Sequence, residues 1–227
     1  MSQLALPLQL ADHAVFASFH ASGNETLVAT LQALAAGEPG QGCWLWGARA
    51  TGKTHLLQAV CDRAGDNTVY LPLAMLAEAG PGILEGLADR SILCIDDIDV
   101  VAGDRDWEVA LFSLYNELQE NGGQLVAAAA AAPRECGFGL PDLESRMSRL
   151  PVFQLRALNE ADRAAALQLR AGHRGLDLPD ETALYLLRRV PRDMASLYAL
   201  LDKLDLEALR AQRRLTVPFV RDVLNAR

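Results

Sequence analysis

Residues 43–54 read Cys43-Trp44-Leu45-Trp46-Gly47-Ala48-Arg49-Ala50-Thr51-Gly52-Lys53-Thr54. The four apolar residues suit a buried strand, and the next eight fit G-x-x-x-x-G-K-[ST] at every fixed position. A helical pattern then runs over 53–63, so strand, phosphate-binding turn and helix follow in the order this motif requires. The chemistry accounts for the residue types. Glycines let backbone N–H groups curl around phosphate oxygens, and the helix N-terminus adds positive potential. Lys53 reaches the terminal phosphates, and the Thr54 hydroxyl suits a Mg²⁺ ligand. Gly47, Ala48, Arg49, Ala50, Thr51, Gly52, Lys53 and Thr54 therefore form the candidate phosphate site. The plain alternative is an ordinary glycine turn before a helix, but a shuffled chain of this composition would show the full pattern only on the order of once in a thousand.

Outward from the loop, short apolar runs recur at 68–73, 91–95, 124–128 and 151–155. Helical patterns lie between most of them. One covers 25–36 with Asn24 available as its cap, and the clearest covers 107–120, where Trp107, Leu111, Leu114, Tyr115 and Leu118 share a face before Gly122-Gly123. Strands alternating with helices predict an α/β fold with a parallel sheet covered on both sides. From Asn159 onward only helical patterns remain. Asn159 with Asp162 reads as a capping pair for a helix to about 171, and Pro179 as a first-turn proline for one to 190. A third spans about 192–209, and Thr216 with Pro218 opens a last short one. The expected organisation is an N-terminal tail over 1–12, an α/β domain over 13–157 and a helical lid over 158–227.

The run 92–97 (Ile92-Leu93-Cys94-Ile95-Asp96-Asp97) is an apolar strand ending in two carboxylates, about forty residues beyond the loop. An acid at the end of a buried strand beside a phosphate loop can hold the hydration shell of Mg²⁺, and its neighbour can orient a water. Alone the pair also reads as a helix cap; beside 47–54 it reads as a metal and water site.

Composition narrows the function classes. The 227 residues are 51% hydrophobic and 22% charged, too apolar for a disordered chain. The formal charge of -8 excludes a broad cationic surface for a nucleic-acid backbone, so any DNA role is expected to be indirect. Only two lysines are present, Lys53 and Lys203, and one of them stands in the phosphate motif. The four cysteines and four histidines show no metal-ligand spacing, and buried thiols are expected. No Lys or Arg precedes Arg49, which denies the N-terminus a secretory n-region. No apolar run approaches the roughly 18 to 20 residues a bilayer requires. A cytoplasmic protein without a membrane partner is expected.

Taken in order, Phe16-Ala-Ser-Phe19 with Gly23-Asn24, GARATGKTHLLQA (47–59), ILCIDDIDVVAGD (92–104), LPDLESRMSR (140–149) and RVPRDMASLYALLDKLD (189–205) resemble the AAA+ family. Within it they resemble the branch of the bacterial replication initiator DnaA and its shorter relatives, over about 14–225. The resemblance implies a P-loop NTPase fold with a five-stranded parallel sheet, and ADP or ATP with Mg²⁺ as cofactors. Lys53 and Thr54 would bind phosphates and metal, and Asp96 and Asp97 would be the Walker B pair. Arg146 matches the arginine finger presented to the nucleotide of a neighbouring subunit, and Arg192 the sensor-2 arginine of the lid. Without the resemblance, either arginine reads as a surface ion-pair residue.

Three features refine this. Residues 127–132 are six alanines where the family usually places a polar sensor-1 residue, so slow turnover of bound nucleotide is expected. No helix-turn-helix reader follows the lid in this sequence, whereas the initiator has one. Gln3-Leu4-Ala5-Leu6-Pro7-Leu8 resembles the Q-L-x-L-x-L peptide that binds sliding clamps, with Gln3, Leu4, Leu6, Pro7 and Leu8 as the contact residues. A tail packed on its own domain is the alternative. These features imply a negative regulator of replication initiation. Its partners would be the sliding clamp of DNA polymerase III (the beta subunit) and DnaA, with DNA reached indirectly through the clamp, and self-association is left open. A helicase-loader or transposition-helper protein is the competing reading, against which stands the lack of early basic residues. Changing both Gln3 and Leu6 to Ala should abolish retention on immobilised clamp while leaving nucleotide affinity intact; unchanged retention would refute the tail assignment.

Overall fold

Strand β1 (Gly42–Trp46) buries Cys43, Trp44 and Leu45 completely, as a strand covered on both faces must. The other strands are β2 (Thr68–Pro72), β3 (Ile92–Asp96), β4 (Gln124–Ala129) and β5 (Val152–Gln154). In the computed structural model, which describes residues 14–189 and 194–225, they form one sheet in the order β2-β3-β4-β1-β5. Every pairing is parallel. The tail residues Gln3, Leu4, Leu6, Pro7 and Leu8, and Arg192, lie outside the described residues.

Alternation along each strand divides the core in two. On one face Cys43, Leu45, Cys94 and Val126 pack against Leu27 and Leu31 of α1 (Glu25–Ala35) and Leu56, Leu57 and Val60 of α2 (Lys53–Ala64). On the other, Trp44, Leu93 and Ile95 meet Leu111 and Leu118 of the later helix Arg105–Glu120 and Met147 of Pro141–Arg149. A single-turn helix, α3 (Leu73–Leu76), follows β2 directly, so Arg105–Glu120 is α4 and Pro141–Arg149 is α5. The fold is the α/β parallel-sheet class expected, followed by helices alone.

Those helices are α6 (Glu160–His173), α7 (Asp180–Arg189), α8 (Met194–Ala211) and α9 (Val217–Asn225). They enclose a separate core of Leu167, Leu186, Leu197, Leu201 and Phe219. Asn159 caps α6 by accepting from the Asp162 amide at 2.9 Å, as its position predicts. The Asp162 carboxylate does not complete the pair; it reaches His20 at 3.3 Å and ties the lid helix to the segment before α1. Among the described residues no helix is long and apolar enough to cross a membrane.

Two local expectations need correction. Asn24 precedes α1 but its side chain does not cap it. The amide is buried and used across the chain, accepting from Arg156 N at 2.9 Å and donating to Arg156 O at 3.3 Å, which pins the start of α1 to the segment after β5. Leu73 belongs to α3 rather than to β2, because Pro72 ends the strand opposite Asp96. Three of the four cysteines are buried thiols, while Cys136 is half-buried.

Gly42 starts β1 with φ +99°, and a Cβ there would stand 1.8 Å from the Leu125 carbonyl oxygen. Gly42→Ala should cost on the order of 3 kcal/mol through strain and backbone clash. Gly172→Ala in α6, where an added Cβ meets no atom within 4 Å, should stabilise by about 0.5–1 kcal/mol. Urea denaturation of both variants checks the contrast.

Candidate nucleotide site

The loop leaves β1 at Gly47 and enters α2 at Lys53. Ala50 and Gly52 have φ of 61° and 105°, the left-handed turns that curl successive amides into an anion-binding nest. The glycines also answer to packing. A Cβ on Gly47 would meet the Leu155 carbonyl at 2.7 Å, and one on Gly52 would meet the Phe19 ring at 2.7 Å. Phe19 thus backs the loop, a role that the sequence motif did not reveal. Lys53 is buried, and its Nζ donates to Gly47 O at 2.8 Å and Ala48 O at 3.2 Å, so the ammonium is held within the curl of the loop.

The carboxylate pair sits beside it. Asp96 ends β3 at 1% exposure, and such a buried anion needs donors. Oδ2 accepts from Thr54 Oγ1 at 2.6 Å and Tyr70 OH at 2.9 Å, and Oδ1 from the Asp97 amide at 3.1 Å. Burial, together with the Asp96 charge, pushes the Tyr70 hydroxyl well above the usual tyrosine range, keeping it a donor. Tyr70 is a site residue that sequence reading missed; its visible signal is a hydroxyl-bearing side chain in an apolar run, and only the strand pairing sets it in register with Cys94, two residues before Asp96. Asp97 is left-handed (φ 53°) and half-buried. Its carboxyl is raised by burial and by the charges of Asp96 and Asp99, with Lys53 and Arg49 opposing. Among the described residues no group of three or more His, Cys, Asp or Glu side chains forms a metal centre. Thr54 and Asp96, brought together here, fit Mg²⁺, which commonly takes one or two protein ligands and fills the rest with water and phosphate oxygens.

Loop, N-terminal segment and lid together bound a cleft of about 620 Å³, a size suited to a small-molecule cofactor. Residues 49–54 and Asp97 line one side, and Arg170, Met194 and Tyr198 line the lid side. The two sides are joined by the His20–Asp162 contact. His55, one residue beyond Thr54, donates through Nε2 to Val15 O at 2.9 Å and packs its ring 5.4 Å from that of Phe19. Burial lowers its pKa below the ordinary histidine value, with the Val15 carbonyl opposing and Arg170 adding to the shift.

Arg146 lies elsewhere. It is on α5, half-buried, with its guanidinium 6.0 Å from the Phe112 ring, and it is not among the residues lining the cleft. The start of α5 is fixed from α4: the buried Glu108 carboxylate accepts from Gly103 N at 2.7 Å, Gly139 N at 2.8 Å and Leu140 N at 2.6 Å. At the end of β4, Ala127, Ala128 and Ala129 are fully buried and offer no polar side chain.

The AAA family model, for ATPases associated with various cellular activities, matches residues 43–153, and the Hda lid-domain model matches 160–224. The chain thus carries an AAA domain followed by an Hda-type lid. Its fold is similar to that of domain III of the replication initiation protein DnaA from Thermotoga maritima, with a TM-score of 0.77 at 21% identity, covering 94% of this chain and 96% of that one. AMPPCP-bound DnaA from Aquifex aeolicus is similar at TM-score 0.73 and 20% identity, over 89% of this chain and 68% of that one. The RuvB Holliday junction branch migration motor of Thermotoga maritima gives 0.63 at 16%, over 89% and 68%. The site of this AAA+ protein is of the nucleotide-binding kind.

The buried His55 yields a pH prediction. Its folded-state pKa lies below the unfolded one, so its contribution is present in full above about pH 6.5 and is lost as pH falls from there through the folded value, where only the unfolded chain takes up the proton. Replacing it by Gln, which retains a donor for Val15 O, should flatten that part of the profile in urea denaturation between pH 7.5 and 5.5.

Proposed function

We propose that this AAA+ protein is a nucleotide-bound negative regulator of replication initiation. It docks on the DNA-loaded sliding clamp through Gln3 to Leu8 and stimulates hydrolysis of ATP bound to DnaA. The observation that supports this reading is that Arg146 is not among the residues lining the chain's own cleft, as expected of a finger that serves another subunit's nucleotide. The anchoring of α5 by Glu108 supports it, since a guanidinium must be held in position to compensate charge developing on a phosphoryl group.

In this reading the tail over 1–12, the α/β domain over 13–157 and the lid over 158–227 are the working units, acting in the cytoplasm. The loop amides of 47–54 and Lys53 bind the phosphates of ADP or ATP, and Arg192 approaches them from the lid. Thr54 and Asp96 hold Mg²⁺, partly through water, and Asp97 orients a water. The metal supplies charge neutralisation between the phosphates. The alanine end of β4 offers no side chain to help position an attacking water, which favours slow turnover in this chain and chemistry in the partner. The bound nucleotide then serves to hold lid and α/β domain together rather than as fuel.

The test is hydrolysis of DnaA-bound ATP with and without the ADP form of this protein and a DNA-loaded clamp. Wild type should accelerate it, and Arg146→Ala should lose the stimulation by about a hundredfold or more, given the 10³–10⁵ that such fingers contribute, while retaining clamp binding. Equal stimulation by the variant would overturn the finger assignment.

A further inference from the structure

Arg170 in α6 is a charged residue in an unusual position. It is 9% exposed and lines the cleft, and its Nε has no hydrogen-bond partner. Among the described residues no carboxylate forms an ion pair with it. The guanidinium lies over the Tyr198 ring at 4.2 Å, a contact worth far less than a hydrogen-bonded ion pair at a buried site. Asp202 is near enough to act on it electrostatically, but that carboxylate is paired with Arg174, just past the end of α6. His55, on the loop side, is an imidazole and offers no anion. A guanidinium taken out of water with its flat face on an aromatic ring keeps its N–H edge for a partner, and the open space beside it is the cleft that also holds Lys53 and the loop amides.

We infer that Arg170 is a phosphate-binding residue of the lid, whose N–H edge, held by the Tyr198 ring, takes a phosphate oxygen of a nucleoside di- or triphosphate. The inference rests on the nucleotide reading of the cleft and adds to it a contact from α6. Arginine suits the task because its planar fork can meet phosphate oxygens through two N–H groups at once. The phosphate group then joins α6 of the lid to the loop after β1, so that the seating of the lid depends on the ligand's charge. The buried charge is a cost that the protein bears when the cleft lacks an anion and recovers when one binds.

The experiment uses the full chain with three variants, Arg170→Met, Arg170→Lys and Lys53→Ala, titrated calorimetrically with ADP and with inorganic pyrophosphate and melted without ligand. Methionine keeps apolar contact with Tyr198 and removes the charge. Arg170→Met should bind both ADP and pyrophosphate at least tenfold more weakly, with Arg170→Lys intermediate. Its ligand-free melting temperature should equal or exceed that of wild type, an outcome opposite to the loss of a structural strut. Wild-type ADP affinity in Arg170→Met, or a loss confined to ADP with pyrophosphate unaffected, would overturn the phosphate assignment. If Lys53→Ala alone weakens both ligands, the nucleotide site stands and Arg170 is not part of it; if neither Lys53→Ala nor Arg170→Met affects either ligand, the nucleotide reading itself fails.

Discussion

The hydrogen bond from Thr54 Oγ1 to Asp96 Oδ2, 2.6 Å long, joins the first turn of α2 to the end of β3, although β1, the strand that leads into α2, is not a neighbour of β3 in the sheet. β4 lies between β1 and β3, so the crevice at the strand ends forms where the chain crosses over, the place where open parallel sheets bind ligands. The rest of the site depends on this closure. The buried oxygens of Asp96 are satisfied by Thr54, Tyr70 and the Asp97 amide, which all donate to them.

Polar groups that the molecule buries fall into two kinds, and the difference carries function. Asn24 and Glu108 are satisfied within the chain and act as fixed joints, one pinning α1 to the segment after β5, the other locking α4 to the start of α5. Arg170, by contrast, has an Nε with no hydrogen-bond partner among the described residues. A fully bonded polar group adds rigidity, whereas an unpartnered charge facing a cleft leaves interaction energy for a ligand. The Glu108 joint anchors the helix that carries Arg146, and Arg170 stands where lid and loop face one another.

Much of the fold was legible in local patterns. Apolar runs separated by helical stretches identify the parallel sheet, and each expected strand is present to within a residue or two, because strands buried on both faces must be apolar throughout. The loop was legible for a different reason: backbone curling around phosphate restricts residue types at fixed spacing, so Gly47, Gly52, Lys53 and Thr54 are adjacent in sequence and readable together. Asn24 misled, since its position before a helix suggests a cap while its amide is used by Arg156, 132 residues away.

The sequence by itself determined the strand-turn-helix unit, the acidic end of β3 and the change from strands to helices after 155, all of which rest on short-range periodicity and on residues within a few positions of one another. Only the tertiary structure decided that Tyr70 donates to Asp96, that Phe19 closes over Gly52, that Arg170 and Tyr198 line the cleft and that Arg146 does not. These are contacts between residues far apart in the chain, set by strand order and lid packing. No local pattern encodes them, because a tyrosine in a strand or an arginine in a helix has the same sequence signature whether it faces a site or the solvent.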